Sequence, residues 1–385
     1  MSYQNIIDQN REWIDSTFNK LDEKLSRTSV KSRDKIPYTT KNGEHDSRTT
    51  GPDIAWWTNG FWGGLMWLMY EATKKDCYRI TAENAEKIMD GAFNYIDEIH
   101  HDVGFTWHIM SGASYALTGN RKSRDRDLFT AMTLMSRYNI DGEYIVAWPG
   151  KDKRGWSIID CLMNIPQLYW ASREIGDDRF KKVAMKHADM AMRDHVREDG
   201  SVVHIVEHYL DKVGVVKTHG GQGYGEGSCW SRGASWAVYG FILSYIHTGE
   251  QRYLDTAKKT AKYFIENVKK TDWLPVIDFK APPTPVGFDS TAGAVTACGL
   301  IEIAKHVDDD EKDYYLSAAV NMLRAMESAW CDWSETEDSI LQNGTERYWN
   351  ERKDGSLGDP MPIIYGDFFF AEAILKLRGS DFLIW

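Results

Sequence analysis

IHTGEQRYLDTAKKTAKYFIENV, residues 246–268, holds the pattern that decides the fold. Leu254, Ala257, Ala261, Phe264 and Val268 recur at steps of three and four, which places them on one face of a helix. Gly249 stops the helix before it, and the polar residues that follow start the new one. The same grammar returns along the chain. Ala82, Ala85, Met89 and Ala92 form one such stripe, and Phe180, Ala184, Ala188 and Ala191 another. The breaks LTGNRKSRD (117–125), REIGDDRF (173–180) and HVDDDEKDYY (306–315) separate further pairs, with Asn, Asp or Ser available as caps. Counting periodic segments between breaks gives about twelve helices, or six hairpins. Only short stretches such as SVVHIVEHYL (201–210) and WLPVIDF (273–279) read as strand. The expectation is an all-α fold, a closed (α/α)6 barrel of six helical hairpins occupying residues 1–385 as one domain. Its inner helices should be the more apolar ones, and long loops at one rim should build a cleft. Those loops are expected from Lys31 to Ala55, Ile140 to Ser157, Glu198 to Ser228, Lys270 to Asp289 and Ser334 to Pro362.

Composition narrows the function. The 42% hydrophobic content supports a large core without any run long enough to span a bilayer. A net charge of -11 repels nucleic acid and anionic lipid, so neither is an expected partner, and an anionic ligand would need a locally positive pocket. The opening residues lack the charged, apolar and small-residue pattern of a secretory leader, so a cytoplasmic location is expected. Cys77, Cys161, Cys229, Cys298 and Cys331 are scattered, and none has metal-ligand spacing, which predicts free and mostly buried thiols. The 16 Trp and 19 Tyr exceed what core building needs, and indole faces stack well on sugar rings; the alternative is that they fill a big helical core.

Polar and aromatic residues interleave in four places: Ala55 to Trp62, His100 to Phe105, Ser157 to Pro166, and His219 to Trp236. Asp160 is flanked by Ile158, Ile159, Cys161, Leu162 and Met163, where burial disfavours an ionised carboxylate unless it has a task or a partner. It reads either as a proton-transfer group or as a helix cap. Asp102 reads as a second site carboxylate or as a turn residue. His100 and His101 lack a third ligand at a convincing spacing, so no metal and no cofactor are expected. Arg232 beside Trp230 and Trp236 suits a planar carboxylate on a sugar, or else a cation-π contact in the core. The run HGGQGYGEG (219–227) lacks the lysine of a phosphate loop and reads as a binding loop whose glycines permit close backbone approach.

Taken together, the ordered motifs resemble glycoside hydrolase family 88, the unsaturated glucuronyl hydrolases. They are W-T-N-G-F-W (57–62), H-D-V-G-F (101–105), I-I-D-C-L-M-N (158–164), R-E-D-G-S (197–201), Q-G-Y (222–224), S-C-W-S-R-G-A-S-W (228–236), D-S-T-A (289–292) and Y-G-D-F-F-F (365–370), and they span nearly the whole chain. The resemblance implies an (α/α)6 barrel that removes the 4,5-unsaturated uronic acid from the non-reducing end of oligosaccharides left by polysaccharide lyases. It implies Asp160 as general acid/base, Asp102 as the second essential carboxylate, and His204 and Gln222 as holders of the reacting water. Trp57, Asn59, Phe61, Trp148, Trp230, Arg232, Trp236 and Tyr348 would form the sugar subsite. Lys353-Asp354-Gly355-Ser356 falls where some relatives read a sulfate, with a loose match. After H-D-V-G-F the chain departs from the family's pattern with Thr106-Trp107-His108, and the Gln222 loop carries an extra His219-Gly220-Gly221; the identity of the second sugar is therefore left open, as is oligomeric state. Competing readings are an unsaturated rhamnogalacturonyl hydrolase acting on pectin fragments, a sugar epimerase of similar architecture, and a non-catalytic sugar-binding barrel.

Overall fold

Four of the links between helices are two residues long, and each begins with a left-handed residue that ends the helix before it: Lys74, Gly119, Gly176 and Gly249. Such links force the two helices they join to lie antiparallel as neighbours. In the computed structural model, which describes residues 3–348 and 360–385, the helices are α1 (Tyr3–Gln9), α2 (Arg11–Lys31), α3 (Gly60–Thr73), α4 (Asp76–Met89), α5 (Ala113–Thr118), α6 (Arg121–Ser136), α7 (Pro166–Ile175), α8 (Asp178–Asp194), α9 (Ser231–Thr248), α10 (Gln251–Val268), α11 (Ser290–Lys305), α12 (Asp309–Trp330) and α13 (Ile364–Arg378). A π-helical stretch, Gly104–Gly112, leads directly into α5.

Two kinds of helix alternate. Every residue from Gly60 to Met69 of α3, from Ser231 to Ser244 of α9 and from Ser290 to Ala304 of α11 is buried, so these helices are enclosed on all sides. By contrast α10 buries a stripe made by Tyr253, Leu254, Ala257, Ala261, Phe264 and Val268, the face that periodicity predicts. The inner ring is α3, the π-helical segment with α5, α7, α9, α11 and α13; α4, α6, α8, α10 and α12 pack outside their partners. The remaining pair is not consecutive in sequence. Outer helix α2, near the start of the chain, packs on inner helix α13, near its end, and α13 also meets α3, which closes the ring. The expected (α/α)6 barrel is therefore observed, with its sixth pair made by distant segments.

Because inner helices run to outer ones through short links, each return passes through a long loop, and all these loops gather at the rim where the inner helices begin. They carry short antiparallel strands. β1 (Thr40–Lys41) pairs with β2 (Glu44–His45), and β3 (Tyr138–Asn139) with β4 (Tyr144–Ile145). A three-stranded sheet has the order β5 (Trp156–Ile158), β6 (Ile205–His208), β7 (Val215–His219). The candidate strand at 201–210 thus contains β6, whereas 273–279 contributes only single bridges, Val276 to Phe288 and Asp278 to Trp230.

All five cysteines are free thiols, with Cys161, Cys229 and Cys298 buried. Among the described residues no helix is long and apolar enough to cross a membrane. The tryptophans divide between both readings: Trp62, Trp67, Trp107 and Trp236 are fully buried core, while Trp56, Trp57 and Trp148 line a cavity at the rim.

Candidate active site

The pairing of β5 with β6 sets Ile158 opposite Ile205. This register carries Asp160, two residues beyond β5, to His204, the residue before β6, and the Ile159 N–H donates to the His204 carbonyl at 3.1 Å. Asp160 sits in the single 3-10 turn Ile159–Met163 ahead of α7. His204 Nε2 lies 3.3 Å from Asp160 Oδ1, and neither atom has a better-aligned partner. The Gln222 backbone N–H donates to His204 Nδ1 at 2.9 Å, so Nδ1 is the acceptor and Nε2 holds the proton that faces Asp160. This contact requires the loop to come very close. Gly221 has φ +60, and a Cβ there would stand 2.1 Å from His204 Nδ1. The glycine-rich run therefore does what its composition suggests, against a histidine rather than a phosphate.

Asp102 enters from the loop before the π-helical segment. His101 Nε2 is 3.2 Å from its Oδ1, His100 Nδ1 is 3.4 Å from its Oδ2, and Asn164 Nδ2 donates to Oδ1 at 3.3 Å. His101 Nδ1 lies 2.7 Å from the Ala147 carbonyl, which only accepts, so Nδ1 carries the proton and Nε2 offers a lone pair. Burial holds His101 well below the usual imidazole range and His100 at about 4, which keeps both rings neutral. The matching donor to Nε2 is a protonated Asp102. Burial, with the charge of Asp160 second, pushes the Asp102 carboxyl well above the ordinary carboxylate range, in agreement with that hydrogen-bond logic. His100, His101 and Asp102 each offer a ligand atom within 4.8 Å of the others, yet His101 is already oriented by Ala147 and turned on Asp102.

Asp160 and Asp102 open into a cavity of about 240 Å³ lined by Trp57, His100, Trp148 and Gln222, together with Arg232, Glu346, Arg347 and Tyr365, while His204 stays buried behind Asp160 and does not line it. Trp57 and Asp102 sit just before inner helical segments, and Arg232 and Tyr365 in the first turns of α9 and α13, where the unpaired N–H groups leave partial positive charge. An anionic ligand is favoured there despite the negative net charge.

Not every expected residue touches this space. Asn59 is fully buried, its amide donating to Ile54 O at 2.8 Å and Asp53 O at 3.0 Å, so it fastens the preceding turn. Phe61 and Trp236 are also fully buried, in an aromatic layer with Phe105 beneath the cavity. Trp230 lies behind His204, ring centroids 4.4 Å apart. Tyr348 is not part of this wall; its ring faces Tyr224 at 5.1 Å and it lines a neighbouring cleft beside Asp278. None of these five lines the cavity: Asn59, Phe61, Trp230 and Trp236 pack behind it, and Tyr348 faces the neighbouring cleft. Arg232 combines both of its readings: it lines the cavity, its guanidinium lies 4.3 Å from the Trp230 ring centre, and it donates to Asp289 Oδ2 at 2.9 Å and to the Thr345 and Glu346 carbonyls. The motif at 353–356 lies outside the described residues.

Sequence reasoning missed Tyr38, Glu346 and Arg347, which arrive from loops without a motif, and Asn164 and Asp289, which stood inside quoted motifs but bear on the site only through partners. Tyr365 was visible in Y-G-D-F-F-F and is set by the first turn of α13.

No family model matches the chain. Its relatives do decide the matter. The unsaturated glucuronyl hydrolase of Bacillus sp. (strain GL1) is 34% identical over 342 residues, covering 86% of this chain and 88% of that one. The chain belongs to the unsaturated glucuronyl hydrolases, glycoside hydrolase family 88. An unsaturated chondroitin disaccharide hydrolase from Streptococcus pneumoniae is 31% identical, covering 86% and 83% of the two chains. The solved unsaturated glucuronyl hydrolase from Bacillus sp. GL1 superposes with a TM-score of 0.86 at 29% identity, covering 95% of this chain and 97% of that one. A variant of the Streptococcus agalactiae unsaturated glucuronyl hydrolase, solved in complex with dGlcA-GalNAc6S, superposes with a TM-score of 0.77 at 25% identity, covering 97% and 93%.

Proposed function

We propose that this unsaturated glucuronyl hydrolase removes the terminal 4,5-unsaturated uronic acid from lyase-generated oligosaccharides of glycosaminoglycan type, with Asp160 as the proton-transfer group. The observation that carries the reading is the convergence of Asp160 and Asp102 on one tryptophan-walled cavity, with His204 Nε2 behind the wall at 3.3 Å from Asp160. The C4–C5 double bond of the substrate is an enol ether. A proton delivered from the Asp160 carboxyl to C4 leaves positive charge shared between C5 and the ring oxygen. Water captures C5 and returns its proton to the Asp160 carboxylate, which restores the acid. The resulting hemiketal opens and releases the remaining sugar. No nucleophile at the anomeric carbon is needed, so the carboxylate-separation rule for ordinary glycosidases has no application here.

In this scheme the His204 Nε2–H orients Asp160 and the incoming water, and its own orientation comes from the Gln222 backbone. Asp102, its proton held toward His101 Nε2, accepts a hydrogen bond from a substrate hydroxyl without adding a second negative charge beside the uronate. The test follows the ultraviolet absorbance of the conjugated enol with chondroitin, hyaluronan, heparin, alginate-type and pectin lyase products. Asp160→Asn is expected to retain binding and to lose about 10²–10⁴-fold in turnover, the usual worth of a positioned acid/base. Turnover like that of the wild type would remove Asp160 from the role, and consumption of pectin products alone would move the substrate to rhamnogalacturonan fragments.

A further inference from the structure

Beside the catalytic cavity runs a larger groove of about 740 Å³, lined by Arg137, Tyr138, Asn139, Trp148, Lys151 and Arg154 among others. Trp148 is common to both spaces and forms the wall between them. The groove is positive on a protein whose net charge is -11. Among the described residues, none of the cations Arg137, Lys151, Lys153 and Arg154 has a carboxylate within 4.0 Å, whereas Arg79, Arg124, Arg126, Arg232 and Arg252 each do. Asp152 is the carboxylate on the same turn, and it does not line the groove. Arg137 is half-buried at the end of α6, its Nε donating to the Val146 carbonyl at 2.8 Å; an unpaired guanidinium in such a place is costly without an anion to meet. Lys153 does not line the groove but stands 5.5 Å from the ring centre of Trp148, which does, so it adds positive charge beside the groove. Its volume suits a sugar-sized ligand.

We propose that this groove is an anion subsite that takes a sulfate or a second uronate on the sugars beyond the scissile bond, with Trp148 as the stacking face between the two spaces. The proposal rests on the functional reading above and deepens it: the enzyme would distinguish oligosaccharides by charge at a place remote from the unsaturated ring.

The test compares wild type with the double variant Lys151→Ala, Arg154→Ala, whose two positions are exposed and outside the catalytic cavity. Steady-state kinetics are measured on an unsulfated unsaturated disaccharide, a sulfated one, and an unsaturated tetrasaccharide that carries a second uronate. The variant is expected to raise KM about five- to tenfold for one or both charged substrates, with kcat and the unsulfated disaccharide unchanged, the scale set by two exposed charge contacts. Added salt should erase the preference of the wild type for the charged substrate and leave the variant unaffected. An effect confined to the sulfated disaccharide identifies sulfate as the ligand group, and one confined to the tetrasaccharide identifies the carboxylate. Equal KM values for wild type and variant on every charged substrate would overturn the groove alone. A wild type that consumes no unsaturated uronide would overturn the functional reading and the groove with it.

Discussion

His101 illustrates how a single side chain sets the protonation of its neighbour. Its Nδ1 is bound to a carbonyl and its Nε2 to Asp102, so the site is satisfied when Asp102 carries a proton. An amide at position 102 would donate to Nε2 in the same way and cannot ionise. Asp102→Asn is therefore expected to raise the melting temperature of the ligand-free protein while lowering kcat about 10²–10³-fold, the scale of a lost transition-state hydrogen bond. The sign follows from linkage. The folded protein holds the Asp102 proton more tightly than the unfolded chain, so ionisation of the unfolded form destabilises the fold as pH rises above the ordinary carboxylate range. The stabilisation by Asn should thus be largest at neutral and alkaline pH and shrink on acidification, which thermal melts across pH would show. A variant less stable than wild type at every pH would mean that Asp102 is ionised and paired. Apolar neighbours in sequence pointed to Asp160; the burial of Asp102 comes from the loops at 137–148 and 160–164, which no local pattern reveals.

At the scale of elements, the proposed catalytic pair is a product of strand register. Asp160 and His204 come together because Ile158 faces Ile205 across β5 and β6, and the 219–223 loop following β7 then closes on His204. The three strands are short and unremarkable in sequence, so their pairing was not legible, although one of the segments was. Gly221 is the tightest point of this arrangement. Gly221→Ala adds a methyl where His204 Nδ1 already stands and where the backbone is left-handed. Strain of about 1–3 kcal/mol would be relieved by moving the loop away. The expected result is a fall in kcat/KM of about tenfold or more through lost alignment, with a modest loss in melting temperature. Kinetics indistinguishable from wild type would show that the Gln222 N–H does not orient His204. The caps, in contrast, were legible as local chemistry: Asn120 accepts from the Lys122 N–H and Asp177 from the Arg179 N–H, as their places after left-handed glycines suggest.

For the whole molecule, closure of the ring brings charged groups from two inner helices, and a tyrosine from a third, together in the core. Lys376 of α13 lies 2.6 Å from Glu302 of α11 and 3.5 Å from Glu372, which also accepts from Tyr239 of α9 at 2.5 Å and from Trp385 Nε1 at 3.0 Å. All of these side chains are buried. Lys376→Met fits the space but leaves Glu372 without a cation and Glu302 with Lys305 alone, a change expected to cost about 3–5 kcal/mol in denaturant unfolding. A loss below about 1 kcal/mol would show that the carboxylates are neutral in the folded protein. The amino-acid sequence alone determined the amphipathic faces of the helices, their terminating glycines and, through ordered motifs, the family, because each of these depends on residues close together in the chain; its count of about twelve helices falls short of the thirteen α-helices among the described residues. Tertiary structure decided which aromatic residues line the cavity and which pack behind it, which carboxyl group burial pushes up, and where positive charge collects. Those properties depend on burial and on distances between segments tens to hundreds of residues apart, and these exist only after the ring has closed.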